Sequence, residues 1–240
     1  MDFNYNDLPE ITILTPVYGR HKFLPLLIRN IKHQNYPQDK MKVIIDECRS
    51  DDLFIQDIDE FRKLVYPVQV THMIHDQRKS IGEKRNRLVA SCKTDIFQFF
   101  DTDDLYNIDC LLFNYSKLKE TNAKCVGSNK MLFCYTKDNY RITGIDCGDE
   151  LKLIHEATIM ASKKWFMKTC KFSKKNSSEG QDLFAGVQKS QICNVDVNMV
   201  MLCLVHSDNT INKDHFNNTT EKSQILNKET QSYLEKIFKN

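Results

Sequence analysis

Three carboxylates, Asp101, Asp103 and Asp104, follow directly on the apolar run Ile96-Phe97-Gln98-Phe99-Phe100. Carboxylates this close repel one another and resist desolvation unless a cation sits among them. A hard divalent ion is the simplest candidate. Asp-Thr-Asp alternation lets Asp101 and Asp103 converge on one ion, with water and phosphate oxygens completing its shell. The competing reading is a helix cap, with Asp104 or Asn107 opening the helix that follows. A cap needs one carboxylate, so it does not account for the alternation.

The elements that must position this cluster alternate regularly. Apolar, β-branched runs predict strands at 11–15, 42–45, 68–74 and 96–100. Helical spacing falls between them, at 21–34 (Phe23, Leu24, Leu27, Ile28, Ile31), 53–64, 80–92 and 108–120. Such β-α alternation predicts an α/β fold with a mostly parallel sheet covered on both faces. Ligands of such sheets bind beyond the carboxyl ends of the strands. Pro16–Arg20, Asp46–Asp52, His75–Lys79 and Asp101–Asp104 all fall at those ends. The second half is less regular. Strands are expected over 123–135 and 140–146, a helix near 162–170, and a short helix from about Asp182. A strand over 197–205 ends at His206, and an amphipathic tail helix spans 221–240, with Ile225, Leu226, Tyr233, Leu234 and Ile237. With no repeat or linker, one domain is expected: a nucleotide-type half over about 10–110, a second half over about 111–220, and the tail.

Bulk properties narrow the class. Net charge is +2, with 34 basic against 32 acidic residues, so no global field points to nucleic acid or an anionic membrane. No window reaches the ~18 apolar residues of a membrane helix, and the polar start lacks a signal-peptide layout. Nine scattered Cys without a C-x-x-C pair predict reduced thiols. A soluble, cytoplasmic protein is expected.

Four segments, "ILTPVYGR", "VIIDECRSDD", "RKSIGEKRNRLVASCKTDIFQFFDTDD" and "SSEGQDLF", stand in an order and spacing that resembles family-2-like glycosyltransferases of the GT-A fold. Pro16, Tyr18 and Arg20 match a Pro-x-Tyr-Asn-Arg loop with Gly19 in place of Asn; Gly82, Arg85, Asn86, Asp101 and Asp103 match a later Gly-x-x-x-Arg-Asn stretch and Asp-x-Asp motif. The Lys/Asn/Ile-rich style also resembles proteins of large DNA viruses.

The resemblance implies a Rossmann-like central sheet and transfer from a UDP- or GDP-linked sugar to a glycan, protein or small-molecule acceptor. It also implies Mn²⁺ or Mg²⁺ on the diphosphate. By it, Pro16, Tyr18, Arg20, Asp46 or Glu47, and Asp76 serve the nucleoside. Lys79, Arg85, Asp101 and Thr102 face the diphosphate or sugar, and Asp101, Asp103 and His206 the metal. An inverting enzyme needs a carboxylate base, which the family places in a Glu-Asp pair. Here "SSEGQDLF" breaks the pair, so Asp182 is the preferred base and Glu179 the alternative. His155 could line the acceptor site and Trp165 could stack on a sugar. Two other readings compete. A sugar nucleotidyltransferase would need a Gly-rich phosphate loop, which "TPVYGRHKF" lacks. A degenerate, non-catalytic binding module would tolerate the broken pair.

Overall fold

A computed structural model describes residues 4–50, 53–148, 153–209, 213, 216 and 224–238. Among the described residues, parallel strands β1 (Ile11–Tyr18), β2 (Met41–Cys48), β3 (Gln69–His75) and β4 (Ile96–Phe99) form the centre of one sheet. Helices α1 (Leu24–Lys32), α2 (Ile58–Val65) and α3 (Ile81–Ser91) connect them. β5 (Leu105–Tyr106) and α4 (Cys110–Thr121) follow, then β6 (Cys125–Gly127), β7 (Lys130–Tyr135) and β8 (Arg141–Asp146). β9 (Met160–Ser162) leads into α5 (Lys163–Thr169); β10 (Ile192–Asn194), β11 (Met201–Val205), β12 (Gln224–Ile225) and α6 (Lys228–Phe238) complete the chain. The large sheet has order β10-β6-β9-β4-β1-β2-β3, with β9 antiparallel to both its neighbours; a second sheet runs β12-β8-β7-β11-β5. The α/β class and the mostly parallel central sheet agree with the expectation.

Burial explains the unbroken apolar strands. Ile11, Ile13 and Val17 of β1 pack on one face with Phe23, Leu27 and Phe61, while Leu14 packs on the other with Leu88, Phe97 and Phe99. A parallel sheet covered on both sides needs apolar residues at successive positions.

Several boundaries differ from the sequence reading. β1 continues through Pro16 to Tyr18. Leu14 O accepts Phe100 N–H on the β4 side, and its pairing with β4 ends there. By strand alternation Pro16 faces that same open side, so its missing N–H costs no ladder bond. The 123–135 strand is two, because the chain changes sheets at Ser128 and Asn129. Residues 197–199 form a 3₁₀ turn, capped by Asp196 accepting Asn198 N–H, so the strand starts at Met201. No helix begins at Asp182; residues 179–186 are successive turns. Ile225 belongs to β12, and the tail helix starts at Lys228, where Asn227 Oδ1 accepts Thr230 N–H. Residues 221–223 and 239–240 of the expected tail helix lie outside the described residues, as do Asp51 and Asp52.

Candidate active site

The acidic cluster is not a cap. α4 begins at Cys110, and Asp104 Oδ1 instead accepts the N–H of Leu204 on β11 (3.1 Å). Asp104 is buried, and burial together with adjacent Asp103 pushes its carboxyl up to about 7. The cluster lies on one wall of a cavity of about 790 Å³ between the ends of β1 and β4 and the second sheet.

β1 delivers Tyr18 and Arg20 to this cavity. Arg20 has φ 68°, a left-handed conformation that non-glycine residues adopt at a cost of order 1 kcal/mol or more. Its guanidinium pairs with Asp103. His206, at the end of β11, stands behind the same carboxylate: Nδ1 accepts Asp208 N–H (3.2 Å), leaving Nε2 to donate to Asp103 Oδ2 (3.2 Å). Burial alone would raise Asp103, but the His206 hydrogen bond and the Arg20 charge hold it well below the usual carboxylate range.

α3 delivers Arg85. Ser80 and Glu83 cap it reciprocally, Glu83 N–H to Ser80 Oγ (3.2 Å) and Ser80 N–H to Glu83 Oε2 (3.1 Å). Its first turn lies so near the 171–179 loop that a Cβ on Gly82 would fall 1.8 Å from Ser173 O. Glycine is required there, and the approach sets Arg85 beneath Glu179. Arg85 Nη2 donates to Asp101 Oδ2 (3.0 Å) and Nε to Glu179 Oε1 (3.1 Å). The guanidinium lies 5.0 Å from the Phe99 ring centre. Burial acts against its charge, but Asp101, Glu179 and Glu156 together hold its pKa above the ordinary range. Burial pushes Glu179 up, Arg85 draws it down and Glu156 raises it again, leaving a net rise.

The remaining candidates divide. Pro16, Lys79 and Thr102 line the cavity, and so does His155, which burial pushes down to about 4. Tyr18 exposes its ring beneath the Arg78 guanidinium, 4.0 Å from the ring centre. Asp46 and Glu47, expected at the nucleoside, are fully buried away from the cavity lining. Arg87 grips Asp46 with two 2.7 Å bonds, while Glu47 accepts Phe54 N–H (2.6 Å) and bonds His72 Nε2 (2.8 Å). Alternate residues of β2 point to opposite faces of a covered sheet, so strand-end acids are drawn into internal pairs. Asp76 is exposed beside Arg49, outside the lining. Asp182 is exposed and outside it too, whereas Glu179 lines it. Trp165 Nε1 donates to Gln191 instead of reaching the cavity. Sequence reasoning missed Glu156, Lys84, Asn129 and Lys213, all of which line the cavity. Only Glu156 carried a signal, as the neighbour of His155.

The residues present fit a divalent cation that shares its shell with a ligand. Asp101 Oδ1 is buried without a hydrogen-bond partner among the described residues, and the Asp103 carboxylate lines the same wall. Among the described residues no group of three or more His, Cys, Asp or Glu side chains could hold a metal by itself. Phosphate oxygens would have to supply the rest of the shell.

Comparisons with known proteins agree with this fold. The family model described as "Glycosyl transferase family 2" matches residues 12–184, well over half of the chain. The structure of S. aureus TarS 1-349 in complex with UDP-GlcNAc superposes with a TM-score of 0.68 at 14% identity, covering 83% of this chain and 60% of that one. A second structure, of S. aureus TarS, gives 0.64 at 16% identity, over 82% of this chain and 37% of that one. The mannosyltransferase PcManGT from Pyrobaculum calidifontis, in complex with GDP-Man and Mn²⁺, gives 0.64 at 14%, over 88% and 60%. This chain therefore spans about three-fifths or less of these neighbours. Among curated proteins none matches in sequence. The likeness to proteins of large DNA viruses gains no support from these matches. No helix among the described residues is long and apolar enough to cross a membrane.

Proposed function

This chain belongs to glycosyl transferase family 2, and we propose that it moves a sugar from a nucleoside diphosphate to an acceptor hydroxyl, with inversion and with the help of a divalent cation. The observation that carries the reading is the cavity itself, where Asp101 and Asp103 stand among Arg20, Lys79 and Arg85 at the ends of parallel strands. Carboxylates with a free oxygen suit a cation, and the basic groups suit the diphosphate that cation would bridge. The donors carried by TarS and PcManGT, UDP-GlcNAc and GDP-Man, support this donor class.

The roles follow from position. Tyr18, exposed with Arg78 over its ring, would contact the base, while Arg20, Lys79 and Arg85 neutralise charge as the sugar–phosphate bond breaks. A bound cation would stabilise the same departing diphosphate. Asp101 and Asp103 would hold it, with His206 orienting Asp103. The nucleotidyltransferase alternative is disfavoured because the loop after β1 is a short turn led by Arg20, not a glycine-rich phosphate cradle.

Calorimetry tests the reading. UDP or GDP should bind with Mn²⁺ present, and EDTA or Asp103→Asn should weaken binding tenfold or more. Binding that is unchanged by EDTA and by the substitution would overturn the metal-assisted donor site. A chain that binds but never hydrolyses any nucleotide sugar would be the non-catalytic module.

A further inference from the structure

We propose that Glu156 is the carboxylate that takes the acceptor's proton, an assignment that rests on the transferase reading above. A general base needs a lone pair that no cation already holds. The carboxylates lining the cavity differ in this respect. Asp101 and Glu179 share Arg85, and Asp103 holds Arg20 and His206. Asp104 is buried in the wall against Leu204 N–H. The Glu156 carboxylate has no ion pair and one hydrogen bond among the described residues: Gly180 N–H donates to its Oε1 (2.9 Å). That bond fixes the carboxylate and leaves Oε2 without a partner among the described residues.

Gly180 supplies the second observation. An ideal Cβ there would fall 2.3 Å from Glu156 Oε1 and 2.8 Å from both Cδ and Cγ. The Glu156 carboxylate therefore fills the space that a side chain at position 180 would occupy. When Glu179 is aligned with the Glu of the family's Glu-Asp pair, the pair's Asp falls at this same position, so here the group reaches the cavity from another element. That element is rigid. Glu156 opens a 3₁₀ turn whose next residues, Ala157 and Thr158, are fully buried. Thr158 Oγ1 donates to His155 O (2.7 Å) and accepts Ser128 N–H (2.8 Å). Glu179 then positions Arg85, and Asp182 has no part in the site.

In the step, the acceptor O–H bond breaks as its oxygen bonds the anomeric carbon, and the proton passes to Glu156 Oε2. The anomeric carbon–phosphate oxygen bond breaks, and its electron pair leaves with the nucleoside diphosphate. Water serves as the acceptor in the test. The probes are UDP-GlcNAc and GDP-mannose with Mn²⁺, read as hydrolysis, alongside calorimetric binding of UDP and GDP.

Glu156→Gln keeps the bond from Gly180 N–H, so nucleotide affinity should stay within about threefold of wild type. Turnover should fall ~10²-fold or more. Gly180→Ala, which displaces the carboxylate, should lose turnover similarly. The double variant should fall no more than about threefold below Glu156→Gln, because both changes remove one group. Glu156→Asp should recover part of the loss. Glu156→Gln turnover within about threefold of wild type overturns the assignment while leaving the transferase reading intact. A wild-type chain that binds neither UDP nor GDP overturns both.

Discussion

Replacing Arg85 with Met should unfold this protein more readily than any exposed substitution, and by an amount the geometry sets. The Arg85 side chain is 3% exposed, and its partners Glu179 and Asp101 are 8% and 22% exposed. Arg85→Met keeps most of the volume against Phe99 and Phe172 but strands both carboxylates. Removing one partner of a buried ion pair costs about 3–5 kcal/mol, and partial solvation of Asp101 favours the lower end. At roughly 2–4 °C per kcal/mol for a chain of this size, Tm should drop by about 6–15 °C. The pH dependence gives an independent check. Burial already raises Glu179, and without Arg85 its folded-state pKa rises further above the unfolded one. A raised carboxylate destabilises when ionised, and the cost fades as pH falls through the folded pKa. The variant's deficit should therefore be larger at pH 8 than at pH 5 in differential scanning calorimetry. Adding Asp101→Asn and Glu179→Gln should recover most of the lost stability. A Tm drop under about 2 °C, equal at both pH values, would refute the buried clamp.

Asp46→Asn and Glu47→Gln should each lower Tm, through a stability loss of about 1.5–3 kcal/mol for a lost charged hydrogen bond, with UDP or GDP affinity within about threefold of wild type. A large loss of affinity without loss of Tm would return these acids to the nucleotide site. His155, pushed down to about 4 by burial, is neutral in the fold near pH 7. Its contribution is fully present above its ordinary value near 6.5 and is lost as pH falls toward 4, roughly 3 kcal/mol at most. His155→Asn should flatten that part of the stability–pH curve relative to wild type; parallel curves would remove His155 as the cause.

What the sequence determined by itself was local. Alternating apolar runs and turns specified the parallel core, because a strand buried on both faces and a helix buried on one have different periods. Helical spacing placed α3 at 80–92, while the Ser80–Glu83 capping box that starts it came from the structure. Asp101 and Asp103 were legible too, standing at the end of an unmistakably buried strand. The tertiary structure decided which side chains meet. Arg85 and Glu179 are 94 residues apart, and Asp103 and His206 are 103 apart. Chain spacing holds no record of such pairs. Asp46 and Asp182 looked suitable because they are acids near element ends, yet Arg87 holds the first inside the fold and the second remains exposed. Glu156 was unremarked in a short turn until Gly180 left room for its carboxylate. Backbone pattern follows from neighbours along the chain; a cavity is made by residues that only folding brings together.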